Sequence, residues 1–348
     1  MGLRVDWSRA MKIFRKCGGR VSLSKWPAAA ILALLAANMA LAQQAAWRPE
    51  RPAEFVVAVS AGGATDYTAR FMQKIIQAQR LMEAPVIITN KAGGGGNLAL
   101  NYLDQHAGDG HYLLNSTLTV MTNQIIGLSK IHYTDYTAVA MLFNEHATLV
   151  VPANSPIRNV RDIMQKLKAD PQSLSFATGF AVGGINHLGV GQLLKQGGID
   201  ARRLKTVVFQ GQGAVLTALL GGHVDFAPMQ VATAIKGAQE GKLRILGIAA
   251  ERRGEGALAD IPTWREQGLE LVWSNVRFVL GPKGMTPAQL AYWDNLLGRV
   301  TQSDEWKEEG RRNFLQLEYL SSKQTPQRLA QVYEQLRSAS IAVGLVKE

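Results

Sequence analysis

From about residue 55 onward, short runs of β-branched or apolar residues alternate with longer stretches of helical periodicity. That alternation restricts the chain to an α/β class of parallel sheets covered by helices. Residues 55–60, 86–90 and 112–116 read as strands, with helices expected over 65–79 and 97–106. A second series opens near residue 147 with ATLVVPA. It continues with strands at 174–178, 205–210, 224–228 and 244–249, and helices at 160–169, 186–196, 214–220 and 232–240. Beyond an apolar run at 278–281, three helices are expected at 287–300, 304–312 and 326–342, with no strand between them. A length of 348 residues exceeds the usual domain of about 100–200, so two domains are expected.

Three of the strand-to-helix turns are rich in glycine and small polar residues: SAGGATD at 60–66, NKAGGGGN at 90–97 and ATGFAVGGINH at 177–187. A helix N-terminus carries unpaired N–H groups and a partial positive charge, so small residues there let a carboxylate or phosphate reach the backbone. In open α/β sheets such loops lie at the carboxyl ends of strands, where ligands bind. The plain alternative is that glycine only permits a tight turn and that Thr65, Asp66 or Asn186 only caps a helix.

Nucleotide and catalytic classes lack their residues. Gly94-Gly95-Gly96-Asn97-Leu98-Ala99 satisfies the loose dinucleotide fingerprint, but no acidic ribose ligand follows about 20 residues on. No glycine turn runs into Gly-Lys-Ser/Thr, and neither H-E-x-x-H nor G-x-S-x-G occurs. No catalytic residue, metal site or cofactor is therefore expected. Arg277, a charge inside the apolar stretch WSNVRFVL, reads either as a structural ion pair or as a functional group.

The net charge of +11 is concentrated at the front of the chain. Seven of 38 Lys and Arg and one of 27 Asp and Glu precede Gln43, leaving 31 against 26, or +5, for the rest. Basic and aromatic residues are not interleaved as on a nucleic-acid surface, so no nucleic-acid partner is expected. The basic front precedes an apolar run of 15 residues, 28–42, ending in Ala40-Leu41-Ala42. This is the pattern of a cleavable secretory signal with cleavage after Ala42, and the run is shorter than the roughly 20 residues that span a bilayer. The single cysteine, Cys17, lies inside that leader, so the mature chain would carry no thiol, as suits a periplasmic protein.

Several of these segments together resemble the substrate-binding receptors of tripartite tricarboxylate transporters, also called Bug receptors. The resemblance covers about residues 51–346. It rests on Gly62-Gly63-Ala64-Thr65-Asp66, on Asn90-Lys91-Ala92-Gly93-Gly94-Gly95-Gly96-Asn97 and on Asp109 to Leu114. Leu219-Leu220-Gly221-Gly222-His223-Val224-Asp225, Gly241-Lys242-Leu243-Arg244 and Asp260-Ile261-Pro262-Thr263 add to it. Glu266-Gln267-Gly268, Trp273, Arg277 and Tyr292-Trp293 look most like the tricarboxylate-receptor branch. Ala58-Val59-Ser60-Ala61 departs from the family's proline-rich approach to the first turn, the second loop is one residue longer, and Met229-Gln230 stands where many relatives carry Asp or Asn.

The resemblance implies a periplasmic-binding-protein type II fold, a Venus flytrap of two doubly wound α/β domains joined by two crossover strands, with C-terminal helices packed on domain 1. By position, domain 1 would comprise residues 43–147 and 276–348, and domain 2 residues 148–275. The crossovers would lie near 148–151 and 276–280. The implied ligand is a small organic carboxylate, citrate-like or a dicarboxylate. Its expected contacts are Ser60, Gly62, Gly63, Ala64, Thr65 and Asp66 on one side, with Ser116 and Thr117 from the third turn. Thr178, Gly179, Val182, Gly183, Gly184, Asn186 and His187 are expected on the other, with Gln210 and Gly211 nearby. The implied partners are membrane permease subunits, or a sensor kinase if the same fold serves signalling, and the receptor is expected to be a monomer.

Overall fold

The computed structural model describes residues 47–179, 183–209 and 212–347. The leader, the expected cleavage point and three of the expected ligand contacts, Val182, Gln210 and Gly211, lie outside the described residues.

Three parallel strands place the first and third turns side by side. β1 (Ala53–Val57) pairs with β2 (Val86–Asn90) on one edge and with β3 (Tyr112–Ser116) on the other, in the register Val57↔Asn115. Each leads into a helix: α1 (Ala64–Ala78), α2 (Asn97–Asp104) and α3 (Thr119–Ile125). In α1, Ala69, Met72, Ile75 and Ile76 form the buried stripe expected of an amphipathic helix laid on a sheet.

β4 (Thr137–Pro152) is a single strand of 16 residues that changes partners along its length. Up to His146 it runs antiparallel to β9 (Ser274–Gly281), and from Ala147 it pairs with β7 (Ala227–Gln230) and β8 (Leu243–Ile248). The strand expected near 147 is thus only the second half of a longer one. β5 (Ser175–Gly179) and β6 (Lys205–Phe209) form a parallel pair, and an isolated bridge from Phe176 to Phe226 ties them toward β7. Helices α4 (Val160–Ala169), α5 (Ile185–Gln196), α6 (Gln212–Leu220) and α7 (Val231–Gln239) alternate with these strands. The side chain of Asn159 caps α4 by accepting the Asp162 N–H at 3.0 Å.

The tail corrects one expectation. Between α9 (Asp304–Arg312) and α10 (Thr325–Ala342) lies a strand, β10 (Gln316–Leu320), which pairs antiparallel with the edge of β4. Leu315, Leu317 and Tyr319 alternate with Gln316 and Glu318, a period of two that is short enough to be lost between two helices. α3 was likewise absent from the expectation. α8 (Pro287–Gln302) begins at a capping box, in which Thr286 and Gln289 satisfy each other's backbone N–H and proline occupies the first turn. Its Trp293 is fully buried against Phe55, and the indole N–H donates to the Gly110 carbonyl at 2.8 Å. Truncating such a side chain typically costs ~3–5 kcal/mol.

Candidate functional site

The first turn is held open by its own aspartate. Gly62 adopts φ +85°, a left-handed conformation that favours glycine. Its N–H donates to Asp66 Oδ2 at 2.9 Å, and Arg70 Nε donates to the same oxygen at 2.9 Å. Asn90 Nδ2 donates to Asp66 Oδ1 at 2.9 Å and to the Val59 carbonyl at 3.0 Å. Asp66 is buried. Burial alone would push its carboxyl up, but the bonds from Arg70, Gly62 and Asn90, with the Arg70 charge, together hold it below the usual carboxylate range.

With Asp66 turned inward, the end of α1 is left uncapped. Gly63 at the N-cap offers no side-chain acceptor, and the first helical bond runs from the Tyr67 N–H to the Gly63 carbonyl at 2.9 Å. The N–H groups of Ala64, Thr65 and Asp66 therefore have no helical partner, which is the donor set an anion needs. Ser60, Gly62 and Ala64 are exposed, whereas Thr65 is buried. From the neighbouring strand, Asn115 Nδ2 donates to the Thr65 carbonyl at 2.8 Å, so the structure brings the first and third turns together as expected. Ser116 is fully buried, and the Thr117 hydroxyl accepts the Thr119 N–H at the start of α3.

The turn into α5 repeats this construction. Gly183 has φ +87°, and Gly184 caps α5 without a side-chain acceptor. Here the first helical bond is from Leu188 to Gly184 at 3.0 Å, leaving the N–H groups of Ile185, Asn186 and His187 without helical partners. The Gly183 N–H donates to His187 Nδ1 at 3.2 Å. His187 is buried beside Phe176, and burial lowers its pKa, keeping the ring neutral and able to accept. Trp273 Nε1 donates to the Ile185 carbonyl at 3.0 Å and anchors the helix start. Thr178 and Gly179 are buried at the end of β5, and the Thr178 hydroxyl has no partner among the described residues. A side chain at Gly183 would press within 2.9 Å of Leu345 and 3.4 Å of Ile126, so this turn lies against the segment following α3 and the C-terminal end of the chain.

Sequence reasoning named the turns but not what fixes them. Asn90 and Asn115 are those fixings; each sits at the last or next-to-last position of its strand, directly before a small-residue turn. A cavity of about 160 Å³ opens beside Ala64, between α1, β4, β9 and α9, and Arg277, Glu145, Tyr67, Trp306 and Glu309 line it. Arg277 stands opposite Phe143 in the β4 ladder.

Comparison with known proteins fits this architecture. The family model of the tripartite tricarboxylate transporter family receptor matches residues 69–337. A Cupriavidus necator protein named for its place in the gbd 5′ region is 28% identical over 326 residues, which is 92% of this chain and 96% of that protein. Among solved structures, a solute-binding protein of the same family from Polaromonas superposes with a TM-score of 0.73 at 21% identity, covering 84% of this chain and 98% of the other. MatC from Rhodopseudomonas palustris, solved with bound malate, gives a TM-score of 0.65 at 25% identity, covering 85% and 99%. The α/β fold is therefore that of the periplasmic binding proteins of this type. The chain belongs to the tripartite tricarboxylate transporter receptor family, whose members bind solutes and are not catalysts.

Proposed function

We propose that this protein is a periplasmic receptor that captures a small organic carboxylate between two domains and delivers it to the permease of a tripartite transporter. The carboxylate would be held at the uncapped start of α1, from Ser60 to Asp66, and at the start of α5, from Gly183 to His187. Ser116, Thr117, Thr178 and Gly179 would complete the site. The observation that carries this reading is the orientation of Asp66. Its carboxylate is bonded inward to Gly62, Arg70 and Asn90, so a helix end whose first three N–H groups have no helical partner is presented rather than self-capped. Malate bound to MatC supports a dicarboxylate as the first choice. In this reading the leader directs export and is removed after Ala42, domain 1 spans residues 43–147 and 276–348, and domain 2 spans 148–275.

Calorimetric titration of the mature chain against malate, other short dicarboxylates and citrate tests it. One-to-one binding of a member of the panel is expected. A folded sample that binds none of them would refute the reading.

A further inference from the structure

The cavity beside Ala64 bears on the end of the ligand that the glycine turns leave unassigned. Four aromatic side chains on its wall meet one another in sequence. The Tyr67 ring stacks on Phe71 with centroids 6.0 Å apart and planes 8° from parallel, Phe71 meets Trp306 at 6.1 Å, and Trp306 meets Phe143 at 6.1 Å. Leu315 and Leu317 extend this wall. Tyr67 is 52% exposed, and Phe71, Leu315 and Leu317 are half-buried, so packing within the protein does not use up their apolar surface. From Ala64, in the first turn of α1, the cavity reaches Gln230 and Ala232, where β7 meets α7.

Most polar groups on the lining are already engaged or closed off. The Tyr67 hydroxyl donates to Glu309 Oε1 at 2.7 Å, the Thr68 hydroxyl to the Ala64 carbonyl at 3.0 Å, and Asn313 Nδ2 to the Glu309 carbonyl at 3.1 Å. Arg277 Nε and Nη1 and the Trp306 indole nitrogen are buried and do not open into the cavity. A second carboxylate on the ligand would meet the carboxylates of Glu145 and Glu309 on the same lining, an unfavourable pairing of like charges. An uncharged ring meets no such cost. The volume of about 160 Å³ is close to the roughly 150 Å³ of an apolar cavity that holds one benzene molecule. Aromatic pairs also gain from offset or edge contact at centroid spacings of about 4.5–7 Å. We propose that the ligand is an aryl carboxylate with a single ring, its carboxylate at the α1 turn and its ring in this cavity against Phe71 and Leu317. This rests on the carboxylate reading of that turn. The malate bound to MatC speaks for the acid end, which an aliphatic and an aryl acid have in common, and the cavity speaks for the rest.

The test is calorimetry on the mature protein with benzoate and phenylacetate, which differ in the spacing between acid and ring. Acetate lacks the ring, cyclohexylacetate has a puckered one, and malate carries a second carboxylate. The tighter of the two aryl acids is expected to bind one-to-one and to be displaced by malate. It is expected to exceed acetate about tenfold or more, the factor that burying one phenyl group supplies, and cyclohexylacetate several-fold. Phe71→Leu is expected to lower the ratio of aryl-acid to malate affinity about tenfold, a ratio that a loss of fold alone would not move. Tyr67→Leu, at the more exposed ring, is expected to lower it several-fold and carries the test should Phe71→Leu fail to fold. Malate binding without aryl-acid binding overturns the proposal and leaves the carboxylate reading of the turn standing. The proposal is also overturned if the aryl acid binds no more tightly than acetate or cyclohexylacetate, if it binds together with malate, or if the ratio is unchanged in the folded variants. A folded protein that binds none of these acids refutes the carboxylate reading itself, and this proposal with it.

Discussion

Asp66 commits both carboxylate oxygens to its own turn, and this gives the residue a measurable role. Asp66→Ala removes acceptors from Gly62, Arg70 and Asn90 together. The expected cost is about 1–3 kcal/mol, seen as a fall of several degrees in Tm, with ligand affinity reduced by about tenfold as Gly62 relaxes. The pH dependence has a definite sign. Because the folded carboxyl titrates below its ordinary value, its contribution is complete above about pH 4 and is lost as pH falls through the lower, folded value. Thermal melts of wild type and Asp66→Ala should therefore converge in acid. A constant gap down to the lowest pH at which the protein folds would show that the carboxylate does not hold the turn.

At the scale of elements, the sequence carried the alternation and the turns because both are local. The helix expected at 160–169 is α4 itself, and the strand at 112–116 is β3. What was not local was missed: β10 has five residues and is a strand only because the edge of β4 accepts it. The site follows the same rule. Gly62, Gly63 and Asp66 could be read from spacing, but Asn115 bonds to Thr65 across 50 residues of chain, and no local pattern announces that. Long-range packing also decides Gly189, inside α5. Replacing a helical glycine by alanine ordinarily gains up to ~1 kcal/mol. Here a Cβ would stand 2.6 Å from the buried Trp273 ring, and overpacking of this kind costs ~1–3 kcal/mol. Gly189→Ala is expected to lower Tm and weaken ligand binding, because the same Trp273 anchors the start of α5. A higher Tm with unchanged binding would show that α5 shifts freely.

For the whole molecule, the long strand β4 is the natural axis of any closing motion. It passes from the β9 ladder to the β7 and β8 ladder between His146 and Ala147 without a break in the chain. Small rotations about such a continuous strand can move the flanking layers while preserving their hydrogen bonds. Saturating ligand is therefore expected to reduce the radius of gyration in small-angle X-ray scattering, and an unchanged scattering curve at full occupancy would count against closure. The far end of the chain bears on the practical side of every such measurement. Leu345 lies against Gly183, Val343 against Gly191 and Arg202 against Gly344, so the final residues are part of the wall behind the second turn. Bulk attached close behind residue 345 would therefore press on the turn at Gly183, and a purification handle is better placed away from that wall.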